Sequence, residues 1–272
     1  MESVKGQSAE GKSETARHGA HFGDGQSYGI DDPLNILGFA VAGVLAIAAG
    51  FLGVLVKFEV PSVPTALTFA ILLLGFIVGF VLLLFAFSLY WSSRSWKPAE
   101  LERLSSTLAW GGDELVLDVG CGRGLFSIIV ADKVPSGGVV ALDLWRKRDL
   151  SGNDPKSVVE NAGAGGTRPR IFLVKADPRF LPFANGVFDA AVSGLALNHI
   201  RGAEGKASSL RDTVRVLKGG GRLALLVGGP GADTVRVLEK EALRDLEVSS
   251  FRLGLFPPAH SVVARKSFTH GK

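Results

Sequence analysis

The chain has 272 residues, 30 Lys plus Arg against 26 Asp plus Glu, and 47% hydrophobic residues. Its mean hydropathy of +0.29 and pI near 9.3 are high for a chain that is soluble throughout, while a net charge of +4 is small for the length. No basic stripe interleaved with aromatics points to a nucleic-acid surface, and a single cysteine excludes an internal disulfide framework and any C-x-x-C metal site.

The excess of apolar residues lies near the N-terminus. Residues 1–27 are polar, mixed in charge and without an apolar period, and the segment 1–33 reads as a disordered tail. Two apolar runs follow, 34–56 and 65–90. Each exceeds the roughly 20 residues that cross a hydrocarbon core about 30 Å thick. Two runs beginning after position 30 do not resemble a signal peptide. The linker 57–64 holds Pro61 and Pro64 and is short, so residues 34–91 are expected to form an antiparallel transmembrane hairpin. Tyr90, Trp91 and Trp96 stand where interfacial aromatics belong, and Arg94, Lys97 and Arg103 follow the second run against one lysine in the linker. That asymmetry places the C-terminal domain and the N-terminus on the cytoplasmic side. Small residues at Gly38, Ala42, Ala46 and Gly50, and at Gly75 and Gly79, line faces that let helices approach closely. They serve packing within the chain or, alternatively, a homodimer through the membrane.

From residue 92 onward strands and helices alternate as a doubly wound sheet requires. Helices are expected at 98–108, 125–133, 154–161, 204–217 and 234–243, and strands at 115–119, 139–144, 171–176, 187–193 and 222–227. Two further strands, 246–253 and 261–267, have no helix between them and form a terminal antiparallel hairpin. The first strand runs through Val116, Leu117, Asp118 and Val119 into Gly120, Cys121, Gly122, Arg123 and Gly124. Glycines at alternate positions permit a sharp turn and close approach to a ligand, and the helix that follows aims free N–H groups at whatever the turn holds. Asp143 closes the second strand, where a carboxylate can take both hydroxyls of a ribose. A dinucleotide fold wants G-x-G-x-x-G, and its third glycine would fall at Leu125.

These residues resemble motif I of the class I S-adenosylmethionine (SAM)-dependent methyltransferases. The likeness continues through Lys175, Ala176, Asp177; Leu181, Pro182, Phe183; Gly186, Val187, Phe188, Asp189; and Arg215 to Leu223, the run of the type 11 methyltransferases, a group that includes the quinone-biosynthesis enzymes. It implies a seven-stranded, Rossmann-like α/β sheet over 92–272, with SAM as cofactor. It also implies that Asp118 faces the methionine end of the cofactor, Leu144 packs on the adenine and Asp177 caps the adenine amino group. Gly120, Cys121, Gly122, Gly124, Asp143, Ala176 and Asn198 complete the cofactor-binding set. Gly219 stands where the family more often has proline.

Cys121 is read as a small residue required by sterics rather than a nucleophile. His199, at the rim after strand four, is the candidate general base, against the alternative of a solvated loop histidine. The run Trp145, Arg146, Lys147, Arg148 suits anionic headgroups or an acceptor phosphate, against the alternative of a solvated loop. The expected function is a membrane-anchored methyltransferase acting on a small or lipid acceptor drawn from the bilayer. A SAM-binding module without catalysis and a dinucleotide-dependent oxidoreductase are the alternatives.

Overall fold

The computed structural model describes residues 26–30, 33–146, 149–229, 231–250 and 258–268. Most of the tail expected at the N-terminus, along with Lys147 and Arg148, lies outside the described residues. Helices α1 (Pro33–Glu59) and α2 (Thr65–Trp91) are 27 residues each and pair as a hairpin. Both are long and apolar enough to cross a membrane, and they show Leu, Phe, Val and Ile side chains outward along most of their length.

Small residues set how closely the two helices approach. A Cβ on Gly75 would stand 2.6 Å from the Ala46 carbonyl and 2.9 Å from the Cα of Gly50; one on Gly43 would stand 2.9 Å from the Gly79 carbonyl. The Gly75 and Gly79 face is therefore used within the chain. A Cβ on Gly38, expected on the same small-residue face, would meet no atom within 4 Å outside its own helix backbone.

No loop separates the second apolar helix from the helix expected at 98–108. α2 passes through a π turn (Ser92–Trp96) directly into α3 (Lys97–Ser106), with the Lys97 N–H donating to the Ser92 carbonyl five residues back. Pro98 has no N–H and would crowd the preceding turn of a regular helix. The widened turn falls just where that proline must be accommodated.

The remaining elements are β1 (Leu115–Val119), α4 (Leu125–Lys133), β2 (Gly138–Asp143), α5 (Pro155–Ala164), β3 (Ile171–Lys175), β4 (Phe188–Gly194), α6 (Ala203–Val216), β5 (Leu217–Gly228), α7 (Ala232–Leu238), β6 (Leu243–Val248) and β7 (Ala259–Lys266). They build one seven-stranded sheet in the order β3-β2-β1-β4-β5-β7-β6. β1 to β5 are parallel, and β7 enters antiparallel between β5 and β6. The terminal hairpin expected from the sequence is present. Residues on its connection at 251–257 lie outside the described residues.

Strand side chains alternate between two apolar layers, as the pleat requires. Val116, Val139 and Val192 face α4 and α5 through Phe126, Ile129 and Val158. Leu117, Val119, Ala191 and Leu225 face α6 through Leu210 and Val214. β5 starts earlier than expected, because α6 leads straight into it. The Lys218 to Gly221 stretch is a bulge in the strand, where pairing shifts register and Gly220 takes φ +79°. Gly219 thus stands in a strand, where a proline would remove a backbone donor.

At the amino end of the sheet Glu114 joins β1 to β5. Its carboxylate accepts from Arg222 at 2.6 Å and from the Gly111 and Gly112 N–H groups at 2.7 and 2.9 Å. Arg222 also lies over the Trp110 ring, 5.1 Å from its centre. Burial pushes the Glu114 carboxyl up, but the bonds from Arg222, Gly111 and Gly112 outweigh it and bring it to about 2. A carboxyl depressed in the folded state contributes stability that is complete above its unfolded value and is lost as pH falls from about 4.5 toward 2. Glu114→Gln is expected to destabilise the domain by about 3–5 kcal/mol at neutral pH, since it leaves the largely buried Arg222 without its counter-ion. Thermal melting from pH 7 down to pH 3 should show the variant losing less stability than the parent on acidification.

Candidate functional site

The parallel strand order reverses between β1 and β4, so the helices leaving these strands diverge and open a crevice at their carboxyl ends. β1 leads there into the glycine turn. Gly120, Gly122 and Gly124 take φ of +76°, +56° and +85°, conformations that a residue with a Cβ adopts only with strain. The end of β2 holds this turn. The Leu142 carbonyl accepts from both Gly120 N–H (2.7 Å) and Cys121 N–H (3.0 Å), and Gly124 N–H closes onto the Cys121 carbonyl at 2.8 Å. Gly122 N–H donates to Asp143 Oδ2 at 2.9 Å. These turn amides are therefore already bonded within the protein. The turn itself offers a ligand close approach.

The three glycines have different neighbours. Gly120 abuts Ala196 and borders the cavity; a Cβ on Gly122 would meet Leu150 at 3.0 Å, and one on Gly124 would meet Val158 of α5 at 2.8 Å. The third glycine thus serves helix packing.

The crevice has two lobes that share Lys97, Gly120, Leu150 and Gly194. The larger, about 600 Å³, is bordered by Asp143, Leu144, Arg146, Asn153, Pro178 and His199. The smaller, about 430 Å³, is bordered by Tyr28, Ser93, Asp118, Cys121 and Arg123. Asp118 is fully buried and accepts a 2.6 Å bond from Ser127 Oγ at Oδ2, while Oδ1 has no partner. Burial, helped by the nearby Asp143 charge, pushes its carboxyl up to about 7 against the pull of Ser127 and Lys97. Such an oxygen is satisfied by a ligand that brings a donor, and best by a cationic one. Asp143 borders the larger lobe, its Oδ1 accepting from Trp145 N–H at 2.6 Å. Trp145 holds φ +49° and its indole N–H donates to the Gly122 carbonyl at 3.0 Å. Leu195, φ +68°, is a second strained residue at the same rim.

Several expected site residues stand elsewhere. Asp177 is not among the cavity-bordering residues. Its carboxylate is taken by Arg179, with Nη2 at 2.6 Å and Nε at 3.0 Å, and that hydrogen bond foremost holds it below the usual carboxylate range. Pro178, beside it, borders the larger lobe instead. Ala176 continues β3, its N–H donating to the Asp143 carbonyl at 3.2 Å. Asn198 is exposed and accepts from Gly228 N–H at 3.3 Å, securing the end of β5. His199 does border the larger lobe. Cys121 is buried, and burial raises its thiol well above the ordinary value, which suits a packing residue and not a nucleophile. No cluster of His, Cys, Asp or Glu able to hold a metal occurs among the described residues.

Bordering residues that the sequence did not single out include Tyr28, Leu150, Asn153 and Pro178, while Ser93 and Lys97 come from the segment 91–104, which was open to a part in the acceptor site. Ser93 and Lys97 lie four apart on one helical face, a signal available in the sequence had the helix been continued through 92–98. Asn153, nearly fully buried, donates to the Arg146 carbonyl at 3.2 Å while its Oδ1 has no partner. Helix α5 is capped by Asp154, which accepts from Lys156 N–H at 2.8 Å.

Residues 117–225 match the family model for the type 11 methyltransferase domain. This stretch thus resembles a methyltransferase domain. A crystal structure of a SAM-dependent O-methyltransferase from Thermotoga maritima, 18% identical, superposes with a TM-score of 0.50 over 64% of this chain and 67% of that one, which shows the shared fold. An uncharacterized chloroplastic methyltransferase of Arabidopsis thaliana is 34% identical over 107 residues, 39% of this chain and 29% of that protein. The malonyl-[acyl-carrier protein] O-methyltransferase of Geobacter sulfurreducens is 31% identical over 133 residues, 48% of this chain and 45% of that one. The chain thus spans less than half the length of these curated relatives. S-adenosyl-L-methionine is the methyl donor that such a domain takes, and the unpartnered buried oxygen of Asp118 fits the ammonium of its amino-acid end.

Gly120→Val adds bulk against Ala196 at a positive φ. It should abolish SAM binding measured by calorimetry, while Gly124→Ala should act mainly on thermal stability. Because Asp118 keeps its proton up to about pH 7, the carboxylate that receives a cation is present only above that pH. SAM affinity of the parent should rise between about pH 5.5 and about pH 7.5, and Asp118→Asn should flatten that rise.

Proposed function

We propose that the chain is a membrane-anchored methyltransferase whose acceptor reaches the site from the bilayer. The observation that carries this reading is the unbroken path from α2 through the π turn into α3, which brings Ser93 and Lys97 to the cavity wall. At 1.5 Å per residue those positions lie about 3–9 Å along the helix from Trp91, the last residue of the apolar helix. A cavity at that depth is level with lipid headgroups, within reach of an acceptor that never leaves the membrane. Arg94, Lys97 and Arg103 beyond α2, against Lys57 in the linker, support a cytoplasmic domain, and the start of α1 lies at the same end of the hairpin as the domain. A homodimer through the membrane would use helix faces other than Gly75 and Gly79, which are engaged within the chain.

Bound SAM supplies a methyl group on a cationic sulfur, which departs as a neutral thioether when a lone pair of the acceptor takes the methyl. The residues of this chain align and desolvate the two partners, an effect worth up to about 7–11 kcal/mol where orientation is good. Asp118 holds the ammonium of the amino-acid end, Asp143 and Leu144 the nucleoside end, and Gly120 lets the backbone come close between them. His199 is placed on the larger lobe to receive a proton from an acceptor that must lose one.

Incubation of membranes containing the full chain with methyl-labelled SAM tests the proposal. Label is expected in the lipid extract, and its appearance should be lost with Gly120→Val. Label confined to the aqueous or protein fraction would overturn the bilayer-borne acceptor.

A further inference from the structure

The segment just ahead of α1 forms part of the cofactor cavity. Residues 26–30 lie across the domain rather than forming the tail read from their composition. Asn161 of α5, nearly fully buried, exchanges two hydrogen bonds with Ser27: its Oδ1 accepts from Ser27 N–H and its Nδ2 donates to the Ser27 carbonyl, both at 2.9 Å. The same amide donates to the Arg123 carbonyl of the glycine turn at 3.0 Å, so one buried side chain holds both the segment and the turn. Ile30 and Ser151 pair likewise: Ile30 N–H donates to Ser151 Oγ at 2.8 Å, and Ser151 N–H to the Ile30 carbonyl at 3.2 Å. Between these two anchor points Gly29 holds φ +77°, and a Cβ there would stand 2.6 Å from the Ser151 carbonyl and 3.1 Å from Arg123 Cδ. The segment is fitted to its bed at the closest distance a glycine allows. This arrangement turns the Tyr28 ring inward, against the apolar layer that contains Leu101 and Phe126, and onto the lobe that holds the unpartnered oxygen of Asp118.

We propose that Tyr28 is a cofactor-binding residue, and that residues 26–30 form the outer wall of the lobe for the amino-acid end of SAM. The inference rests on the cofactor assignment above and adds that the domain's site is completed from ahead of the membrane hairpin. An aromatic face beside a lobe that receives a cation both excludes water and attracts the charge. Two connections then run from the apolar helices to one lobe, residues 26–30 from the start of α1 and Ser93 with Lys97 from the end of α2. A soluble fragment beginning at residue 92 would keep the methyltransferase domain and lack this wall.

The test is affinity of the full chain, in detergent or lipid discs, for S-adenosylhomocysteine, the methyl-free product. Tyr28→Ala is expected to bind at least tenfold more weakly than the parent, with Tyr28→Phe within threefold. In the parent, the ligand should slow hydrogen exchange at the Ser27 and Ile30 amides, a readout that stands even where a variant does not fold. Equal affinity of Tyr28→Ala and parent, or exchange at 26–30 indifferent to ligand, overturns this inference alone. A parent that binds no S-adenosylhomocysteine overturns the cofactor assignment, and this inference with it.

Discussion

The carbonyl of Leu142 at the end of β2, accepting two N–H groups from the glycine turn after β1, is the contact on which the site depends. Together with Asp143, which takes the Gly122 amide, it fixes the turn from the neighbouring strand before any ligand is present. A backbone bonded in this way loses little further freedom on binding, so ligand contacts are not offset by ordering the loop. The same end of β2 also sets Trp145, whose left-handed backbone persists because its N–H and its indole are both bonded. The strained residues Trp145 and Leu195 lie on opposite sides of the crevice, on the loops that leave β2 and β4. The parallel sheet supplies the stiffness that sustains them.

The apolar hairpin and the methyltransferase domain are one continuous piece of architecture. α2 does not end in a flexible tether; it widens by one residue at the π turn and continues as α3, whose Leu101 and Leu104 are buried in the domain core. A helix joined in this way transmits position, so the height of the cavity above the last apolar residues is set by covalent geometry and not by a wandering linker. Residues 26–30 add a second connection on the same side. The end of α2 and the crevice therefore share side chains, Ser93 and Lys97.

Carboxylates in this domain divide by what their neighbours provide. Glu114 and Asp177 are depressed by arginines and hold structure. Asp118, buried with one oxygen unbonded, is raised and stands ready for a partner that is not part of the chain. Ser127 bonds one oxygen of the motif acid and leaves the other without a partner. Asp177, which the resemblance puts at the adenine, is paired with Arg179 two residues on. A local ion pair of that kind is decided by side-chain rotamers, on which motif spacing is silent.

Much of the fold was legible in the residues alone. The strand 115–119, the helix 125–133, the terminal hairpin and the two long apolar helices follow from apolar period, length and glycine placement, all of which act over a few neighbouring residues. So do the turn at 120–124 and the acids Asp118 and Asp143, since their chemistry is tied to strand ends. What tertiary structure decided were contacts between distant segments: Asn161 gripping Ser27 across 134 positions, Tyr28 turned onto the cofactor lobe, Ser93 and Lys97 brought to the same wall, and the turn amides taken by β2. Polar pairing of this kind has no period and no local propensity. It exists only once the sheet has brought the partners together and excluded the water that would otherwise satisfy them.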